Sequence, residues 1–251
     1  MEERQQHQRE VEVFLQNHFS GRMWEFSYPH GHGHETYFAR SSGQAWFVKL
    51  GARAAIYQAM AAIGLTPQVL AAGLLEDGTS IIVQPLIDGR NPTRRDYRDH
   101  LEQFASAIHK AHHCREVIQV LPKTCSNSYS VVGLEALSRL RQKWERYKEL
   151  VPGAAGFIDE SLAYLERETA DFVGAGLAAS HNDICNANWL ITPEGRIYLI
   201  DLEAMAMDDP ALDIGATLWW YYPPELRPEF LAKAGYGGDP EFKKRMQVRM
   251  A

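Results

Sequence analysis

His181-Asn182-Asp183-Ile184-Cys185-Asn186-Ala187-Asn188-Trp189-Leu190-Ile191-Thr192-Pro193-Glu194-Gly195-Arg196-Ile197-Tyr198-Leu199-Ile200-Asp201-Leu202-Glu203 is the stretch on which the fold turns. Two short apolar runs, Trp189 to Ile191 and Ile197 to Ile200, flank the cluster Thr192-Pro193-Glu194-Gly195. Apolar residues on both sides of a Pro/Gly turn predict a strand, a turn and a strand. Asn188 stands at the entry of the first strand and Asp201 at the exit of the second. A hairpin brings its open ends together, so an amide and a carboxylate are expected to converge. Asp183 lies just upstream. Each of the three alone reads as an ordinary turn residue; their joint spacing is what carries information.

That set suits phosphoryl transfer. The reaction needs an in-line nucleophile, neutralised phosphate charge and a base at the attacking oxygen, with little covalent work from the protein. Magnesium takes oxygen ligands and usually only one or two protein carboxylates. Asp201 and Asn188 are the candidate metal ligands, and Asp183 the candidate base for a substrate hydroxyl. His181 is expected to brace the loop through backbone hydrogen bonds. Glu203 either assists a second magnesium or orients Asp201, and the orienting role suits a fixed ligand better.

Upstream, residues 5 to 19 have the spacing of a short amphipathic helix, with Val11, Phe14, Leu15 and Phe19 on one face. Strand-like runs follow at 24–28, 36–39 and 45–50, then a helix over 52–63 ending at Gly64, then strands over 68–72 and 80–86 joined by the turn pair Asp77-Gly78. Residues 87 to 92 are turn-rich and predict a linker. The remainder reads as helices at about 93–113, 131–149, 157–173, 211–221, 225–234 and 239–249, interrupted by the hairpin.

Lys49 ends an apolar strand and is the candidate phosphate-pairing lysine. Gly31 and Gly33 precede it in a strand-turn-strand setting where backbone N–H groups could cover phosphates. The flanking His30, His32 and His34 share a strand face and could alternatively hold a metal, although no acidic or thiol partner is evident. His109 and His113 have zinc-like helical spacing without the accompanying glutamate, so helix-end histidines are the better reading. A kinase-type lysine pairs with a glutamate on the next helix. Here that helix, Ala52 to Ala62, contains no acid. The gap motivates an alternative of a different class, a catalytically degenerate pseudokinase or nucleotide-binding module.

Taken together, these motifs resemble the aminoglycoside phosphotransferase and choline kinase family, the small-molecule branch of the protein-kinase-like fold. The segments that carry the resemblance are His181-Asn182-Asp183, Asn188, Asp201-Leu202-Glu203 and Asp208-Asp209-Pro210-Ala211-Leu212-Asp213-Ile214. The resemblance implies an α+β, two-lobed fold. A small antiparallel N-lobe with one helix (1–86) and a linker (87–92) lead to a mostly helical C-lobe (93–251) carrying the catalytic hairpin. It implies ATP as co-substrate with Mg2+, and Asp213 as a buttress of the catalytic loop. It also implies an adenine contact from Ile82-Val83-Gln84-Pro85-Leu86, through the carbonyl of Gln84 and the N–H of Leu86. The acceptor it implies is a small hydroxyl compound, aminoglycoside-, choline- or amino-alcohol-like. No Ala-Pro-Glu signature follows Asp201, which argues against a protein kinase.

Composition sets outer bounds. A net charge of −6 over 251 residues argues against a nucleic-acid partner. The three cysteines, Cys114, Cys125 and Cys185, show no paired spacing and read as free thiols of a reducing cytoplasm. The polar N-terminus does not resemble a signal peptide, and no run approaches the ~18 apolar residues of a membrane helix. The aromatic cluster Trp219-Trp220-Tyr221-Tyr222 reads either as core packing or as a face for a cationic acceptor. The oligomeric state is left open.

Overall fold

The computed structural model describes residues 2–19, 23–28, 35–41, 43–122, 129–170 and 176–250. It resolves into two compact units, residues 1–90 with 190–203, and residues 91–189 with 204–251.

In the first unit, helix α1 (Glu2–His18) precedes strands β1 (Glu25–Ser27), β2 (Thr36–Ser41) and β3 (Gln44–Leu50), helix α2 (Ala54–Ala62), and strands β4 (Ala71–Leu74) and β5 (Ser80–Pro85). The strands form one antiparallel sheet in the order β1-β2-β3-β5-β4. Side chains of a strand alternate between faces. One face gathers Tyr37, Ala39, Val48, Leu50, Ile81 and Val83 into a core with Val11 and Leu15 of α1. Alternation then turns Lys49 and its cross-strand neighbour Ile82 away from that core. Helix α1 lies so close to the sheet that a Cβ on Gly73 would sit 2.8 Å from the Phe14 ring. His7 ties the same helix down, with Nδ1 2.6 Å from Glu35 Oε2 and Nε2 3.1 Å from Asp77 Oδ2.

The β4–β5 turn forms where Asp77-Gly78 predicts it, with Gly78 at φ +85° and Leu75 N–H bonded to Thr79 O at 2.8 Å. The first strand of that pair starts at Ala71 rather than near Gln68, because pairing grows outward from the tight turn. Helix α2 is alanine-rich, as good helix propensity requires, and buries Ile56, Tyr57 and Met60. The chain beyond it reverses at Gly64, φ +75°.

The second unit contains α3 (Arg94–Asp99), α4 (Leu101–His113), α5 (Arg115–Val120), α6 (Tyr129–Tyr147), α7 (Ala155–Ala170) and the short strand β6 (Ala178–Ser180). A capping box between Thr93 and Asp96 starts α3. The single helix expected over 93–113 is broken at His100, whose backbone leaves the helical region at φ −120°, ψ 28°. Helix α4 buries Leu101, Phe104, Ala105, Ile108, Ala111 and His112, an i, i+3, i+4, i+7 stripe.

The chain then makes β7 (Trp189–Ile191) and β8 (Ile197–Leu199), which pair, and β9 (Ala206–Asp208), which pairs antiparallel with β6. Gly195 at φ +80° and the Thr192–Arg196 backbone bond of 2.9 Å close the predicted hairpin. Helices α8 (Pro210–Tyr221), α9 (Arg227–Lys233) and α10 (Pro240–Met250) complete the unit. Asp209 caps α8 by accepting from Ala211 N–H at 3.1 Å, with Pro210 at the first helical position. Among the described residues, no helix is long and apolar enough to cross a membrane.

Candidate active site

In the second unit, the loop 181–188 hangs from one buried carboxylate. Asp213 on α8 is 1% exposed and accepts the backbone N–H of His181 at 2.7 Å and of Asn182 at 2.9 Å. His112 Nε2 lies 3.0 Å from the same carboxylate, and its Nδ1 lies 2.8 Å from the Tyr236 hydroxyl. A carboxylate only accepts, so the hydrogen resides on Nε2. Burial alone would push the Asp213 carboxyl up; the bond from His112 and the surrounding donors prevail and hold it below its ordinary 3.8.

This bracing shapes the loop. Asn182 is held in the left-handed region at φ +64°, which asparagine tolerates better than most residues. Its side-chain amide donates to Ala204 O at 3.2 Å. His181 is 1% exposed, and its Nδ1 accepts Asp183 N–H at 3.3 Å. Asn188 Nδ2 donates to the Asp183 carbonyl at 2.7 Å and to Asp183 Oδ2 at 3.1 Å. With its nitrogen so committed, the oxygen is the Asn188 atom suited to a hard cation.

Asp183 lines a cavity of about 370 Å³ together with Cys185, Ala216, Trp220 and Tyr221. Tyr221 stacks on Tyr97 at 4.2 Å, and Tyr222 is buried. Trp219 and Trp220, by contrast, are 54% and 63% exposed, so the aromatic cluster divides between packing and an open face.

The first unit carries the other acidic group. Lys49 is 5% exposed, and its Nζ lies 2.6 Å from Asp201 Oδ1 and 2.5 Å from Glu203 Oε2. Asp201 is held at φ +61°, a conformation costly enough outside glycine to persist only where surroundings enforce it. Glu203 is fixed further by Tyr57, whose hydroxyl lies 2.9 Å and 3.1 Å from its two carboxylate oxygens and accepts Leu202 N–H at 3.2 Å. Arg53 grips the Glu203 carbonyl at 2.8 Å. Burial and the neighbouring Asp201 push the Glu203 carboxyl up, against the pull of Lys49 and Tyr57. Burial, with the Glu203 charge beside it, holds the Tyr57 phenol far above its ordinary 10, so it stays a neutral donor.

Lys49, Asp201 and Glu203 are thus brought together, as are His181, Asp183, Asn188 and Asp213. Gln84 is buried, its side-chain amide donating to Pro67 O at 2.5 Å. The Leu86 N–H, expected to meet an adenine, is instead committed to Ala45 O at 2.9 Å by the β3–β5 register. Gly31, Gly33 and the histidines 30, 32 and 34 lie outside the described residues. His109 Nδ1 donates to Ala234 O (3.0 Å) and His113 Nδ1 to His109 O (2.9 Å), so both are engaged by backbone. Among the described residues, no cluster of three or more His, Cys, Asp or Glu is placed to hold a metal. A carboxylate such as that of Asp201 and an amide oxygen such as that of Asn188 are each hard oxygen donors of the kind magnesium takes, and magnesium draws most of its shell from water and phosphate.

Tyr57 and Arg53 hold Glu203, and His112 holds Asp213, contacts that the sequence reading missed. The acid-free helix α2 was the available signal, since a buried lysine needs a counter-charge from somewhere.

The profile of the phosphotransferase enzyme family matches residues 13–245. The chain belongs to that family. It is accordingly a phosphotransferase with an alcohol group as acceptor, on the two-lobed kinase-like fold that the family motifs imply. Solved structures agree on the fold. A spectinomycin phosphotransferase, in complex with ADP and spectinomycin, is 15% identical at a TM-score of 0.66, covering 96% of this phosphotransferase and 83% of that chain. A choline kinase from Streptococcus pneumoniae is 15% identical at 0.64, covering 97% and 87%. A choline/ethanolamine kinase family protein from Mesorhizobium loti is 16% identical at 0.65, covering 96% and 80%.

Proposed function

We propose that this phosphotransferase is an ATP-dependent small-molecule kinase that moves the γ-phosphate onto a hydroxyl of a small cationic acceptor, an amino alcohol or aminosugar. The observation that carries the reading is the cavity beside Asp183. A carboxylate and the open ring of Trp220 share a space of about 370 Å³, large enough for an acceptor of that class. Aromatic faces and carboxylates both attract cations.

In this reading Asp183 accepts the proton of the acceptor hydroxyl as phosphoryl transfer proceeds. Asn188 keeps that carboxylate aimed, and Asp213 fixes the loop from which it projects. Lys49 pairs with nucleotide phosphate. Asp201 and Asn188 would hold Mg2+, which when bound neutralises charge on the transferring phosphates. The ADP bound to the spectinomycin phosphotransferase supports a nucleotide as the donor.

The test is phosphorylation of a panel of choline-like, ethanolamine-like, aminosugar and uncharged polyol acceptors with Mg–ATP. Turnover confined to amine-bearing acceptors is expected. Preference for uncharged polyols contradicts the cationic assignment, and nucleotide binding without turnover on any acceptor returns the degenerate alternative.

A further inference from the structure

We propose that Tyr57 is a positioning residue which, through Glu203, does for Lys49 what a helix glutamate does in other kinases. Its consequence for nucleotide binding rests on the reading above; the contact itself does not. A lysine on the sheet needs a fixed counter-charge if its ammonium is to meet phosphate in one place. Helix α2, which follows that lysine, has no acid along its length. The counter-charge comes instead from the segment after β8. Glu203 reaches Lys49 Nζ at 2.5 Å, alongside Asp201 at 2.6 Å.

A glutamate on a turn is a poorer anchor than one on a helix, because nothing in the turn fixes its rotamer. Tyr57 supplies what is missing. It projects from α2 and is buried at 2% exposure. Its one hydroxyl spans both carboxylate oxygens of Glu203 and takes the Leu202 N–H, so it holds the side chain and its backbone at once. Arg53, at the start of the same helix, holds the carbonyls of Leu202 and Glu203 at 3.3 and 2.8 Å. The helix therefore still positions the lysine, by gripping the acid rather than carrying it.

Tyr57→Phe removes one oxygen and leaves the ring in place. In nucleotide-free protein, Lys49 is expected to react with an acetic anhydride pulse about tenfold faster than in the parent, the loss expected for a hydrogen bond to a charged group. The exposed Lys143 and Lys243 serve as mass-spectrometric controls and should not change. Glu203→Gln should do the same, and the double variant should react no faster than Glu203→Gln alone, because the two act as one unit. With Mg–ATP, calorimetric affinity should fall several-fold in both single variants, with KM for nucleotide rising and KM for acceptor unchanged. Parent-like labelling of Lys49 in Tyr57→Phe, or effects that multiply in the double variant, would overturn the proposal. Faster Lys49 labelling in both single variants, with a parent that does not bind nucleotide, supports the anchor and overturns the kinase reading instead.

Discussion

Asn188 and Asp183 are joined by a forked contact, the Asn188 amide nitrogen donating to the carbonyl of Asp183 at 2.7 Å and to its carboxylate at 3.1 Å. One residue thus fixes the backbone and the side chain of the proposed base, and leaves its oxygen for a cation. Asn188→Ala should lower turnover about 100-fold, the lower range for a misplaced acid–base group. It should also raise the magnesium concentration needed for half-maximal rate. A magnesium titration of initial rates checks this, and an unchanged magnesium requirement would remove Asn188 from the metal shell.

Asp213 satisfies the buried backbone N–H of His181, the half-buried one of Asn182, and His112 together. Asp213→Ala strands all three, and each orphaned buried donor costs about 1–3 kcal/mol. A loss of about 3 kcal/mol or more in urea unfolding is expected, with turnover falling in whatever protein remains folded. A variant as stable as the parent would show that the loop does not depend on this carboxylate.

His7 gives the N-terminal helix a pH dependence. Hydrogen bonds to Glu35 and then Asp77 raise its pKa above the ordinary 6.5. A group raised on folding contributes stability that is fully present below its unfolded value and is lost as pH rises through the folded one. The melting-temperature gap between the parent and His7→Gln should therefore be largest below about pH 6.5 and close on the alkaline side. A gap that widens toward alkaline pH would contradict the tie.

Gly73 marks where α1 approaches the sheet, a Cβ there meeting the Phe14 ring at 2.8 Å. Gly73→Ala should cost about 1–3 kcal/mol, the usual penalty of overpacking. Adding Phe14→Leu should recover part of it. Chemical denaturation of the single and double variants measures both, and a fully additive pair would place the strain elsewhere.

Local patterns made much of this legible. The Thr192–Gly195 turn, the Asp77-Gly78 turn and the apolar strand β3 each follow from residues adjacent in sequence, and each appears where expected. The β6–β9 pair went unread because Ala-Ala-Ser and Ala-Met-Asp carry almost no strand preference, and tertiary context alone pairs them. The bond from Leu86 N–H to Ala45 O went unread because register is invisible in a single strand. In the candidate site, Asp183, Asn188 and Asp201 stand out in the sequence because phosphoryl chemistry restricts residue types at fixed offsets, and their roles are proposed from that pattern. Tyr57 and Glu203 lie 146 positions apart, and no local rule links a tyrosine to a distant acid.

The central claim is that Asp183 takes the acceptor's proton during phosphoryl transfer. The most direct measurement follows labelled phosphate from γ-labelled ATP into an accepted amino alcohol or aminosugar, for the parent and Asp183→Asn, with nucleotide affinity measured alongside. The account predicts a loss of at least about 100-fold in transfer with nucleotide affinity unchanged. Transfer by the variant at the parent's rate would contradict it.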